Sequence, residues 1–138
     1  MVSTEFPLID RSLFGVSARL HHVGIAAQSI SDVDPAIEAT YDPIQRVRVG
    51  FFNLHDLVVE LVEPAGENSP IQRSLDNGVR LLHLCFEVDR IEDAVKTGRS
   101  NGFLPIRPPA PAAAFSGRRI TWLFNKHFGL VELLERAS

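Results

Sequence analysis

Cysteine is nearly missing from this chain: Cys85 is the only one in 138 residues. A single thiol rules out an intrachain disulfide and a cysteine-based zinc cluster, so any metal has to be held by histidines and carboxylates. Surplus positive charge is missing too. Lys and Arg number 14 against 17 Asp and Glu, a net charge of -3 with the signs interspersed. That leaves no basic patch to follow a phosphate backbone or an anionic membrane, and no nucleic-acid or membrane partner is expected. No apolar run approaches the ~20 residues of a membrane span. The opening MVSTEFPLIDRSLFG has neither the basic start nor the apolar stretch of a signal peptide, so we expect a soluble, cytoplasmic protein. What the chain does have is 45% apolar residues in the length of one compact domain, enough to bury a core.

It also repeats itself. FFNLHDLVVELVE, residues 51–63, returns as LFNKHFGLVELLE, residues 123–135. Phe52, Asn53, His55, Val59, Glu60, Leu61 and Glu63 meet Phe124, Asn125, His127, Val131, Glu132, Leu133 and Glu135 at one offset, 132 - 60 = 72 residues. Upstream, His22 aligns on His83, Ile30 on Ile91 and Asp32 on Asp93 at 83 - 22 = 61 residues. The first half is therefore shorter inside by 72 - 61 = 11 residues.

Local signals divide the chain the same way. RLHHVGIAA, rich in β-branched and small residues, reads as a strand. SDVDPAIEAT predicts a helix with Asp34 as N-cap and Pro35 at the first helical position, ended by Asp42-Pro43. RVRVGFFN and LVVELVEP are two strands joined by a polar turn from Asn53 to Asp56. In GENSPIQRSLDNG, Ser69, Pro70 and Gln72 predict a capped helix start and Asn77-Gly78 a stop. LLHLCFEVD is a strand, and DRIEDAVKTGRSNG a helix with Asp89 and Glu92 in capping-box spacing. FLPIRPPAPAAAF carries too much proline for a central strand and is expected as an edge strand running into a loop. RRITWLFN and GLVELLER close the chain as a hairpin. The expectation is a single α+β domain: module one at about 19–64, a linker helix at about 65–79, and module two at about 80–136.

Each module places a histidine on its first strand and a glutamate on its last. If the modules pack about a pseudo-twofold axis, His22, Glu60, His83 and Glu132 converge. Two neutral imidazoles and two carboxylates carry a charge that balances a divalent ion. Taken singly, a histidine on an apolar strand is more often a hydrogen-bonded core residue, and a glutamate in VELVE the solvent side of a half-buried strand. Recurrence in register favours ligands. Strand alternation puts Glu60 on one face with Val58 and Val62, and Glu132 with Leu130 and Leu134. An unpaired carboxylate in such company costs several kcal/mol, a cost that metal coordination removes.

The remaining polar residues are more ambiguous. His21 is expected on the face opposite His22, and His55 and His127 in the repeated turns, all three solvated or turn-stabilising. Cys85 and Glu87 share the face of His83, which makes Glu87 a candidate acid or base or, more plainly, a surface glutamate. Arg107, Arg118 and Arg119 flank the proline-rich stretch, either as a clamp for a carboxylate or phosphate or as surface charge.

HHVGIA, VELVEP followed by SPI, LHLCFEVDRIEDAV and the closing GLVELLE resemble the vicinal oxygen chelate superfamily of glyoxalases and bleomycin resistance proteins. Within it they are most similar to the methylmalonyl-CoA epimerase family, from about residue 20 to 135. The resemblance implies two βαβββ modules forming a curled mixed β-sheet around a metal site, the first module shortened here, usually in a homodimer. It places the metal positions on His22, Glu60, His83 and Glu132, holding one divalent ion: Co, Ni, Mn, Zn or Fe. It implies a metal-dependent epimerase or isomerase that moves a proton next to a thioester or ketone carbonyl through a metal-stabilised enolate. Glu132 or Glu60 would carry the proton, on a small-molecule substrate such as an acyl-CoA or carrier-bound thioester. Two departures stand out: the first helix and second strand are cut down to AIEATYDPIQ, and Val49 stands where some epimerases carry a glutamate. A glyoxalase I-type lactoylglutathione lyase would need the same metal chemistry. A non-catalytic small-molecule or antibiotic-binding member generally lacks the four residues, and an extradiol dioxygenase needs open the position the fourth ligand fills.

Overall fold

The computed structural model describes residues 7–137. Its strands are β1 (Arg19–Ala26), β2 (Thr40–Asp42), β3 (Val47–Leu54), β4 (Leu57–Pro64), β5 (Leu81–Val88), β6 (Leu104–Pro105), β7 (Ala110–Pro111), β8 (Arg119–Asn125) and β9 (Gly129–Glu135). Its helices are α1 (Ile30–Val33), α2 (Pro70–Asp76) and α3 (Ile91–Ser100), with a 3-10 turn at Ala113–Phe115. The strands form one mixed, open sheet in the order β2-β3-β4-β1-β5-β9-β8-β6, with β7 also on β8. β1 runs parallel to β4, and β5 parallel to β9. β1 and β5 meet antiparallel in the middle. Each half thus repeats the other about an axis between β1 and β5.

Alternation along the strands builds two layers. On one side Val59 and Leu61 of β4 pack with Ile30, and Leu123, Val131 and Leu133 pack with Ile91 and Ala94 of α3. Gly98 continues that helical stripe, because a Cβ there would sit 3.1 Å from the Phe14 ring and 3.2 Å from Leu123. The other side carries Val47, Val49 and Val62, then Cys85, Ala112, Phe115, Ile120 and Leu134, and lines a concave cleft. The proline-rich stretch does lie at an edge: β6 and β7 pair only with β8 among the described residues, as residues lacking an N–H donor require.

The helix expected from Asp34 onward is not formed. Pro35 drives Asp34 into extended backbone (φ -160°, ψ 116°), and the Asp34 carboxylate accepts from the Ala36 N–H in a turn of its own. The helix lies earlier and is one turn long. Asp42 ends no helix either. It closes β2 and accepts from the Ile44 and Gln45 N–H groups at 3.0 and 3.1 Å. Neither expected capping box forms. The Ser69 hydroxyl donates to the Arg46 carbonyl at 2.9 Å, tying α2 to the start of β3, and Asp89 pairs with Arg136. No helix among the described residues is long and apolar enough to cross a membrane.

Candidate metal centre

Four neighbouring strands, β4, β1, β5 and β9, each contribute one side chain to a single point: Glu60, His22, His83 and Glu132. Register explains the meeting. Gly24 stands opposite both Glu60 and His83, and Cys85 opposite both His22 and Glu132, so all four project from the concave face. His22 Nε2 lies 3.4 Å from Glu60 Oε1 and 3.1 Å from Glu132 Oε1, and His83 Nε2 lies 3.4 and 3.2 Å from the same two oxygens. The two Nε2 atoms are 3.4 Å apart. Relative exposure is 0% for His22, 5% for Glu60, 6% for His83 and 2% for Glu132.

These spacings fit a metal ion. Bonds of about 2.1 Å to nitrogen and oxygen set neighbouring donors about 3.0 to 3.4 Å apart, the edges of an octahedron or tetrahedron. Protons alone satisfy the quartet less well. Burial would lower both imidazoles, but hydrogen bonds and charge from Glu132 and Glu60 overcome it, raising His83 and taking His22 from 6.5 to about 9. The two Nε2 atoms are 3.4 Å apart, so placing a proton on each would set like charges edge to edge. A divalent cation balances the carboxylates with both imidazoles neutral. Burial would likewise raise Glu60, and its hydrogen bonds and attraction to His22 and His83 bring it down instead.

Aromatic rings wall the quartet. Phe115 stacks on His22 at 5.8 Å, Phe51 meets His22 edge-on at 5.7 Å, and Trp122 meets His83 edge-on at 4.7 Å. Gly24 makes room for His83, since a Cβ at that position would lie 2.1 Å from the imidazole Cε1. Glu60, His83 and Glu132 border a cavity of about 470 Å³, mostly apolar in its walls, with Arg46 and Arg107 also lining it.

The other residues singled out by sequence divide. Cys85 is fully buried, and burial together with the Glu132 and Glu60 charges pushes its thiol up, so it offers no thiolate. Glu87 does not border the cavity. Burial would raise its carboxyl, but Arg118, at 2.5 Å, outweighs that and holds it down. Arg119 forks between Glu135 and Glu92 at 2.7 Å each. Of the three flanking arginines only Arg107 reaches the cavity. His127 donates its N–H to Asn125 Oδ1 in the β8–β9 turn, and His55 takes left-handed backbone (φ 56°) in the matching turn. His21 departs from expectation: its Nδ1 lies 2.8 Å from His22 Nδ1, because β1 bulges there. Gly24 went unremarked in the sequence although a lone glycine inside a strand signals close approach. Phe115 carried no signal, since its place depends on the path of a loop.

A model of the Glyoxalase/Bleomycin resistance protein/Dioxygenase superfamily matches residues 21–122. The chain is 30% identical over 131 residues to a mitochondrial methylmalonyl-CoA epimerase of Dictyostelium discoideum, covering 86% of this chain and 78% of that protein. It is 31% identical over 128 residues to an ethylmalonyl-CoA/methylmalonyl-CoA epimerase of Cereibacter sphaeroides, covering 83% and 96%. The crystal structure of methylmalonyl-CoA epimerase from Mycobacterium tuberculosis superposes with a TM-score of 0.71 at 20% identity, over 94% of each chain, a likeness of fold. With its paired half-sheets and its matching residues, the chain belongs to the glyoxalase/bleomycin resistance/dioxygenase superfamily.

Proposed function

We propose that this protein is a metal-dependent epimerase of 2-alkylmalonyl-CoA thioesters, with His22, Glu60, His83 and Glu132 holding one divalent ion. The observation that carries the reading is that two carboxylates meet the imidazole pair from β4 and β9, the strands that flank the two histidine strands about the axis of the sheet. Inversion at a carbon next to a carbonyl removes a proton from one face and returns one to the other, so it needs a proton carrier on each side. When bound, the ion supplies Lewis-acid polarisation of the carbonyl, which acidifies the neighbouring C–H. Oε1 of each glutamate is the oxygen that approaches the imidazoles, which leaves Oε2 for the proton. Glu60 would take the proton from one epimer while Glu132, having first taken a proton from solvent, would deliver it to the opposite face. Glu60 then returns its proton to solvent, and the roles exchange for the other epimer. Val49 lies in the cavity wall and carries no proton. Asp42 also borders it, but its carboxylate is engaged by Ile44 and by both nitrogens of Gln45. The curated relatives are epimerases, so the lyase and antibiotic-binding readings are not favoured. The homodimer is part of the same proposal, and light scattering of the loaded protein reads it directly.

Deuterium uptake tests the reaction. Methylmalonyl-CoA and ethylmalonyl-CoA in heavy water should gain α-deuterium with the metal-loaded protein and lose ~100-fold or more of that rate after chelation, with recovery on reloading. A loaded protein that leaves the α-proton untouched would sink the proposal.

Ion loading should also depend on pH. His22 is raised above its ordinary 6.5, so its ion pairs stabilise the metal-free fold fully below pH 6.5 and are lost as pH rises through about 9. Glu60 is lowered from 4.5, so its share is present above pH 4.5 and is lost as pH falls below that value. Metal uptake displaces the imidazole protons. The rise in melting temperature on adding Zn²⁺ or Co²⁺ should therefore grow between pH 6 and pH 9, and a rise equal at all pH values would contradict proton displacement.

A further inference from the structure

A regular strand sends adjacent side chains to opposite faces, so His21 ought to point away from His22. Instead β1 carries one residue more than β5 between the pairs Leu20–Phe86 and His22–Cys85, and that extra residue is His21. The bulge swings its ring round until the two Nδ1 atoms lie 2.8 Å apart. Bulges next to functional sites re-aim side chains in this way. Phe115 braces both rings, stacked on His22 and edge-on to His21 with centroids 5.7 Å apart.

We propose that His21 is a positioning residue: it accepts a hydrogen bond from His22 Nδ1–H and so keeps the His22 Nε2 lone pair aimed at the point shared with Glu60, His83 and Glu132. The inference rests on the metal reading above. A neutral imidazole has one N–H and one lone pair, so a His22 that ligates through Nε2 carries its proton on Nδ1 and needs an acceptor there. His21, with its own proton on Nε2, offers its Nδ1 lone pair at hydrogen-bond distance. The repeat does not supply a counterpart, since Leu82 takes the place of His21 in the second half. His83 is held by other means, its ring lying against Gly24 and the edge of Trp122.

The test compares His21→Phe, which keeps a ring against Phe115 but accepts nothing, with His21→Gln, whose amide oxygen accepts. Zn²⁺ affinity, read by competition with a chromophoric chelator, should fall about 10- to 100-fold in His21→Phe and return to within a few-fold of wild type in His21→Gln. Independently of either variant, long-range ¹⁵N–¹H spectra of the Zn²⁺-loaded wild type should show the His22 proton on Nδ1. Equal affinity in wild type and a folded His21→Phe, or a proton absent from His22 Nδ1, overturns the role of His21 alone. A wild-type protein that takes up no Zn²⁺ overturns the metal reading and this inference together.

Discussion

Gly24→Ala is expected to abolish useful ion uptake without altering a ligand. The new Cβ would fall 2.1 Å from Cε1 and 2.4 Å from Nδ1 of His83, inside any permissible contact, and the strand cannot retreat because β4 and β5 are hydrogen-bonded on either side of β1. The imidazole has to leave. His83 Nε2 would then be lost to both carboxylate oxygens it approaches, and Trp122 would lose its edge contact. We expect Zn²⁺ or Co²⁺ affinity to drop by about 100-fold or more, the upper end of losses for residues that orient ligands. Overpacking should cost about 1 to 3 kcal/mol in the metal-free protein. Chelator competition reads the first and urea unfolding the second. Wild-type affinity in this variant would mean that the His83 ring is not seated over Gly24.

The second large effect separates the two glutamates. Glu60→Gln and Glu132→Gln preserve shape and an oxygen at the same place, but on the proposed mechanism each removes one proton carrier. Inversion needs both, so each variant should lose about 10²- to 10⁴-fold in epimerisation rate. Exchange with solvent needs only one carrier. Glu60→Gln should still exchange the α-proton of one epimer, Glu132→Gln that of the other, in both cases without inversion. Chiral analysis of deuterated thioesters after quenching reads the pattern. Loss of exchange for both epimers in one variant and for neither in the other would assign the whole proton transfer to a single glutamate. Metal-free stability should fall in both, because the change leaves buried imidazoles without one of their partners; breaking a buried pair costs about 3 to 5 kcal/mol.

Much of this architecture was legible in the chain, and the reasons are local. Runs of β-branched and apolar residues between turn signals marked β1, β3, β4, β5, β8 and β9, and proline marked the edge at β6 and β7. The failures are places where one signal fits two structures. Asp34-Pro35 satisfies the pattern of a helix start, yet the same aspartate closes a turn on Ala36, in the extended backbone that a residue before proline prefers. Ser69 and Asp89 had capping-box spacing, but Arg46 and Arg136 drew their side chains elsewhere. Glu87 shared a face with His83 by alternation, and Arg118 engages its carboxylate away from the cavity.

The sequence by itself determined which four side chains belong together. A constant offset between FNLH and FNKH, and a period of two along each strand, are properties of the chain and survive any rigid packing of the halves. Only the tertiary structure decided how closely they meet and what surrounds them. That depends on register across β4, β1, β5 and β9, strands far apart in sequence, and on the bulges in the β1–β5 pair. One extra residue there turned His21 from an outward side chain into the partner of His22, and no pattern within a single strand records which residue its neighbour will leave unpaired.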